Sequence, residues 1–178
     1  MDKIALIVQC RLSSTRLPGK AMLDLSGKPM IFRILERLKR CKMPNILVLA
    51  LPDRTESKII MDAVSSLKVE FFLGDENNLV KRYLDCAKYY SATQIIRLPA
   101  DNVMPDPALI DEVLTWHLAN NPNGFTSNLS SVKGNNMLDG AGAEVFSVAS
   151  LESANNLGPS LEQLEHIHLN FYDYKTRR

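Results

Sequence analysis

Apolar runs of strand length alternate along this chain with segments whose apolar residues recur at helical spacing, and that alternation leaves few folds open. Ile4-Ala5-Leu6-Ile7-Val8 and Ile46-Leu47-Val48-Leu49-Ala50-Leu51 are unbroken, the pattern of strands covered on both faces. Val69-Glu70-Phe71-Phe72-Leu73 and Gln94-Ile95-Ile96-Arg97-Leu98 read as two more strands. Between them the spacing predicts helices over about 30–41 (Ile31, Ile34, Leu35, Leu38, with Pro29 at the first turn), from Thr55 or Ser57 as cap to about 66, and over 77–90 (Leu79, Tyr83, Ala87, Tyr90). Asp106 as N-cap and Pro107 at the first position open another, to about Leu118. Strand and helix in strict alternation argue an α/β domain on a mainly parallel sheet. After residue 120 the pattern changes to a short strand at Phe125-Thr126-Ser127-Asn128, a loop rich in Ser, Asn and Gly over 129–142, a strand at 143–147, and helical segments at 148–156 and 160–174.

Bulk properties exclude several classes. The chain has 178 residues, enough for one domain with a sizeable core, and its 46% hydrophobic and 23% charged content are ordinary for a globular protein. A net charge of +1 argues against wholesale nucleic-acid binding, which needs a basic face or tail. No apolar run approaches a membrane span, and the N-terminus runs straight into a strand with no signal-peptide pattern, so a cytoplasmic protein without membrane insertion is expected. Cys10, Cys41 and Cys86 share no metal-like spacing and read as reduced thiols, with Cys10 either a buried thiol or a reactive one beside the first loop.

That loop, Gln9-Cys10-Arg11-Leu12-Ser13-Ser14-Thr15-Arg16-Leu17-Pro18-Gly19-Lys20, carries three cations, three hydroxyls, one glycine and no acid. Such a loop after a buried strand suits a polyphosphate: Arg and Lys neutralise its charge, hydroxyls and backbone N–H groups bond its oxygens, and Gly lets the backbone approach. A solvated basic loop is the plainer alternative. In parallel sheets ligands sit outside the carboxyl ends of the strands, so Pro52-Asp53-Arg54, Gly74-Asp75 and Pro99-Ala100-Asp101-Asn102 should converge with the loop on one rim. Asp101 is either a Mg²⁺ ligand or a turn carboxylate; Asp106 reads as a cap. Glu144 either bonds a polar ligand or faces solvent, and His166 and His168, two apart on a helix, would point to opposite sides and share no metal.

The stretch Gln9 to Lys20 resembles the N-terminal signature of sugar cytidylyltransferases, most of all the spore coat polysaccharide biosynthesis protein F type, with the acylneuraminate and 3-deoxy-manno-octulosonate cytidylyltransferases as relatives. The likeness continues in order through Leu25–Met30, Gly74–Tyr83, Arg97–Pro107, Thr126–Asn128, Asp139-Gly140, Glu144–Phe146 and Glu165-His166. It implies a single GT-A-like nucleotidyltransferase domain, a three-layer α/β/α sandwich with a nucleotide-binding half over about 1–106 and an acceptor-binding half over about 107–178. It implies Mg²⁺-dependent transfer of CMP from CTP to an acidic or ulosonic sugar for surface polysaccharide, with pyrophosphate released, in a protein that could pair as a homodimer. By position, Arg11, Lys20 and Asp101 would be catalytic, with Asp101 on the metal. Arg11, Ser13, Ser14, Arg16, Lys20, Pro52, Asp53 and Arg82 would surround the nucleotide, and Asn128 and Glu144 the acceptor.

The chain departs from that pattern twice. Many relatives read Asp-Gly-Leu-Asp-Val-Glu where this chain has Asp139-Gly140-Ala141-Gly142-Ala143-Glu144, so Gly142 replaces a carboxylate. The late Asp-x-Pro-Glu-Asp stretch of relatives, whose first Asp is thought to supply a second metal ligand, does not occur in these 178 residues. Two alternatives stand beside the transferase: a nucleotide-binding partner or regulator of weak activity, and a same-fold enzyme with another nucleotide or acceptor. The lack of Gly-x-Gly-x-x-Gly after the first strand argues against a dinucleotide-binding oxidoreductase.

Overall fold

The apolar runs become the centre of one sheet. In the computed structural model, which describes residues 2–13, 17–129, 138 and 140–171, six strands lie in the order β3-β2-β1-β4-β6-β5. They are β1 (Ile4–Gln9), β2 (Ile46–Pro52), β3 (Glu70–Gly74), β4 (Gln94–Pro99), β5 (Phe125–Ser127) and β6 (Glu144–Ser147). Strands β1 to β4 run parallel. Strand β6 runs antiparallel to both β4 and β5. The chain moves outward from β1 through β2 to β3 and then returns to place β4 on the other side of β1. The carboxyl ends of β1 and β4 therefore flank the point where strand order reverses, where open α/β sheets hold ligands.

Helices cover both faces, giving three layers. One face is packed by α1 (Met30–Leu38), α2 (Ser57–Val64) and α4 (Pro107–Asn120) against Leu6, Val8, Leu49, Leu51, Ile96, Leu98 and Val145. The other is packed by α3 (Leu79–Tyr89), α5 (Val148–Asn156) and the turn Ile167–Asn170 against Ala5, Ile7, Val48, Ala50, Ile95 and Phe146. Alternate residues of each strand serve opposite faces, which is why the central strands carry no polar alternation. Ile31, Ile34, Leu35 and Leu38 are buried along one stripe of α1, as their spacing predicts. Asp106 caps α4, its Oδ1 accepting from Ala108 and Leu109 N–H at 2.9 and 3.2 Å, with Pro107 at the first turn.

Some boundaries move. Helix α1 stops at Leu38 and Pro29 is its N-cap rather than a helical residue. Neither Thr55 nor Ser57 caps α2: its N-cap is Glu56, and the Ser57 hydroxyl instead donates to Pro52 O at 2.7 Å. The helix expected over 160–174 is only Leu161–Glu165 (α6), followed by a 3-10 turn at Ile167–Asn170, with His166 extended between them. The cause is burial. Ile167 and Leu169 both enter the core, and residues two apart on an α-helix diverge by about 200°. The rings of His166 and His168 consequently lie 5.9 Å apart instead of on opposite sides of a helix. Residues 172–174 lie outside the described part.

Candidate active site

A cleft of about 490 Å³ opens at the β1/β4 switch point. Strand β1 and the loop after it contribute Gln9, Cys10, Arg11, Lys20 and Ala21 to its walls. The turn after β3 and the start of α3 contribute Glu76, Asn77, Leu79 and Arg82; β4 and its loop contribute Arg97, Pro99, Ala100 and Asp101. Leu129, Glu144, Glu165, His166 and His168 close the far side. The first loop is tied at its base, Gly19 N–H donating to Leu12 O at 2.9 Å, and Gly19 sits at φ 70°, a left-handed conformation that a side chain disfavours. That bend turns the chain into the 3-10 turn Lys20–Met22 and aims Lys20 across the cleft.

Both cations of the described loop meet carboxylates on the opposite rim. Lys20 Nζ donates to Asp101 Oδ2 at 2.6 Å, and Arg11 Nη2 donates to Glu165 Oε1 at 3.0 Å. Each pair is partly open to solvent. Asp101 also acts at a distance: it opposes ionisation of the Cys10 thiol and supports the Arg97 charge. The donor chemistry at Asp101 fits a hard cation. The carboxylate is accessible, already holds an ammonium, and opens on the cleft, where ligand oxygens and water could complete an oxygen shell of the kind Mg²⁺ keeps. Among the described residues no group of three His, Cys, Asp or Glu forms a protein-only metal cage.

The remaining expected residues fall in three settings. Arg82 is 3% exposed and ties down the turn after β3, Nε donating to Asp75 O at 2.7 Å and Nη2 to Glu76 O at 2.8 Å. Burial pulls its basicity below the usual arginine value. Ser13 and Pro52 line a neighbouring hollow of about 120 Å³ with Arg11 and Arg54, while Asp53 lines neither space, its N–H donating to Gly74 O at 2.8 Å. The end of β2 thus reaches the main cleft only indirectly, through Arg54 Nε to Glu76 Oε2 at 2.5 Å. Ser14, Arg16 and Asp139 lie outside the described residues. Cys10 is buried, and loss of solvent pushes its thiol up to about 12, so it is an inert thiol beneath the loop.

Asn128 and Glu144 are both engaged with the protein. Asn128 Oδ1 accepts from Ala143 N–H at 2.9 Å, and a Cβ at Gly142 would stand 2.3 Å from that same oxygen. A side chain at Gly142 would therefore have to push the Asn128 amide off Ala143 N–H. Glu144, 2% exposed, accepts from Arg97 Nη1 at 2.5 Å, and Arg97 Nε donates to Gln9 Oε1 at 3.0 Å. Gln9, Arg97, Glu165 and the two histidines were given no site role by sequence reasoning. For Gln9 and Arg97 a signal existed: each is polar towards the carboxyl end of a mainly apolar strand. For Glu165, brought 154 residues back to Arg11, none did.

The family model for cytidylyltransferases matches residues 5–158. The chain belongs to the cytidylyltransferase family. Within or beside that family, it is 34% identical over 121 residues to a 3-deoxy-manno-octulosonate cytidylyltransferase of Geobacter sulfurreducens, covering 67% of this chain and 46% of that protein. It is 29% identical over 121 residues to the spore coat polysaccharide biosynthesis protein SpsF of Bacillus subtilis, covering 66% of this chain and 50% of that one. The chain thus spans about half the length of these curated relatives. A solved cytidylyltransferase from Leptospira borgpetersenii superposes with a TM-score of 0.87 at 28% identity, over 96% of this chain and 71% of that one. The cytidylyltransferase match runs from Ala5 in β1 through β6 and takes in the polar rim from Arg11 to Glu144, leaving Glu165, His166 and His168 beyond it.

Proposed function

We propose that the chain binds CTP in the main cleft and transfers CMP to a hydroxyl of an acidic or ulosonic sugar, releasing pyrophosphate, in the supply of activated sugar for surface polysaccharide. The observation that carries this reading is the meeting of Arg11, Lys20 and Asp101 at the β1/β4 switch point of a cytidylyltransferase-family sheet. In it, residues up to about 106 take the nucleotide and the later ones the acceptor.

The reaction is an in-line displacement: the sugar oxygen forms a bond to the α-phosphorus while the bond to the bridging oxygen of pyrophosphate breaks. No covalent enzyme intermediate is needed, so catalysis is positioning and charge stabilisation. Lys20 and Arg11 leave Asp101 and Glu165 for the triphosphate and hold the negative charge that gathers on the leaving pyrophosphate. Gly19 and Ser13 shape the loop that wraps the phosphates, and Arg82 keeps the Asp75–Glu76 turn in place. Asp101, released by Lys20, would hold Mg²⁺, which neutralises phosphate oxygens when bound.

The test is pyrophosphate release with Mg²⁺, each of the four nucleoside triphosphates, and a panel of ulosonic acids and simple sugars. The reading expects release that depends on CTP and is lost in Asp101→Ala. Absence of release with every acceptor, together with no CTP-induced rise in melting temperature, overturns it; a CTP-induced rise without turnover leaves a nucleotide-binding protein.

A further inference from the structure

The floor of the cleft holds a charged pair that stability does not explain. Arg97 and Glu144 are directly opposite on antiparallel β4 and β6, 6% and 2% exposed. Replacing such a buried pair with apolar residues of similar volume is commonly neutral or stabilising. The pair also stands at the ligand-facing end of the sheet and not in its apolar middle, and both residues line the cleft.

Each partner keeps one polar atom in reserve. Arg97 donates through Nε to Gln9 and through Nη1 to Glu144 Oε2, and among the described residues Nη2 has no partner. Glu144 Oε1 accepts no hydrogen bond among them, and His168 Nδ1 stands 4.0 Å from it. Neither atom is sealed from solvent, so both can meet a ligand in the cleft. Gln9 fixes the guanidinium plane from β1 and Glu144 fixes it from β6, so the two reserve atoms are a pre-set donor and a pre-set acceptor side by side.

We infer that Arg97 Nη2 and Glu144 Oε1 together read two neighbouring hydroxyls of a polyol acceptor, Arg97 being the specificity-determining half that the acceptor's oxygen meets. This rests on the acceptor being a sugar. One hydroxyl accepts from Nη2 and the next donates to Oε1, satisfying both atoms at once. The pair is neutral as a unit, so it selects hydroxyls. A carboxylate placed on Nη2 would face Glu144 Oε1 as a like charge, and an acidic sugar's carboxylate is bound elsewhere.

The experiment is saturation-transfer NMR on the full chain, with CTP and Mg²⁺ present and absent, using mannose and mannitol as diol probes and propionate as a carboxylate without hydroxyls. Wild type should bind the polyols and not propionate. Arg97→Met with Glu144→Leu, an apolar pair chosen to fold, should weaken polyol binding at least tenfold while the melting temperature stays within a few degrees. Arg97→Gln with Glu144→Gln, which keeps a donor and an acceptor without charge, should retain it better than the apolar pair. Polyol affinity unchanged in the apolar variant overturns the inference, as does wild type that binds no polyol or binds propionate in preference. CTP binding, followed by the melting temperature, is read separately: its absence alongside variant-sensitive polyol binding sinks the cytidylyl reading and leaves this one standing.

Discussion

Removing the Lys20 side chain separates what the cleft does for folding from what it does for chemistry. In the free protein Lys20 Nζ bonds Asp101 at 2.6 Å, but the two side chains are 29% and 48% exposed. An ion pair that open to solvent stabilises a fold by about 0–1 kcal/mol. For a domain of 178 residues, 1 kcal/mol corresponds to about 2–4 °C. Lys20→Ala should therefore lower the melting temperature by no more than about 4 °C. In the proposed transfer the same ammonium would face charge developing on the leaving pyrophosphate inside the cleft. Losing one preorganised contact of that kind lowers turnover roughly 10²–10³-fold, or about 2.7–4 kcal/mol. The catalytic effect should thus exceed the effect on folding several-fold. The assay pairs a thermal melt without nucleotide with kcat/KM for CTP-dependent pyrophosphate release. A kcat/KM within threefold of wild type would refute the assignment of Lys20 to the phosphates. A melting temperature lowered by 8 °C or more would refute the argument from exposure.

Three further outcomes follow from other parts of the fold. Gly142→Ala puts a Cβ 2.3 Å from Asn128 Oδ1, which must then leave Ala143 N–H; overpacking of this sort costs about 1–3 kcal/mol, measurable by urea denaturation, and an unchanged midpoint would show that Asn128 moves freely. His117 is fully buried with Nδ1 on Thr126 Oγ1 and Nε2 on Gln94 Oε1, and burial lowers its pKa from the ordinary 6.5. The unfolded chain therefore takes up that proton first, so stability from this group is full above about pH 6.5 and declines as pH falls below it. His117→Gln should flatten that slope in denaturation curves taken from pH 7 to 5, and an equally steep slope would place its origin elsewhere. The thiols of Cys10, Cys41 and Cys86 are each pushed up to about 12 by burial, so a thiol reagent at pH 8 should label the native protein slowly and all three cysteines once it is unfolded; fast native labelling at Cys10 would contradict its burial.

Much of this protein could be read from neighbours in sequence. An unbroken apolar run specifies a strand buried on both faces, and Ile31, Ile34, Leu35 and Leu38 specify one buried stripe of α1, because both patterns are periodicities of the local backbone. Asp106 and Pro107 specify where α4 begins for the same reason, since a cap is satisfied within three residues. The β/α order then places the ends of β1 and β4 at a switch point, so Arg11, Lys20 and Asp101 could be assigned to one rim without coordinates.

What tertiary structure alone decided is which charges meet. Arg97 and Glu144 become partners through the register of β4 on β6, across 47 residues, and Arg11 meets Glu165 across 154. No local periodicity encodes either meeting, because a strand register and a chain return are set by the packing of the whole sheet. The break at His166 has the same origin: helical propensity over 160–174 gave way to the burial of Ile167 and Leu169 together. Local patterns thus determined the elements and the rim, while packing over long separations determined the polar floor between them.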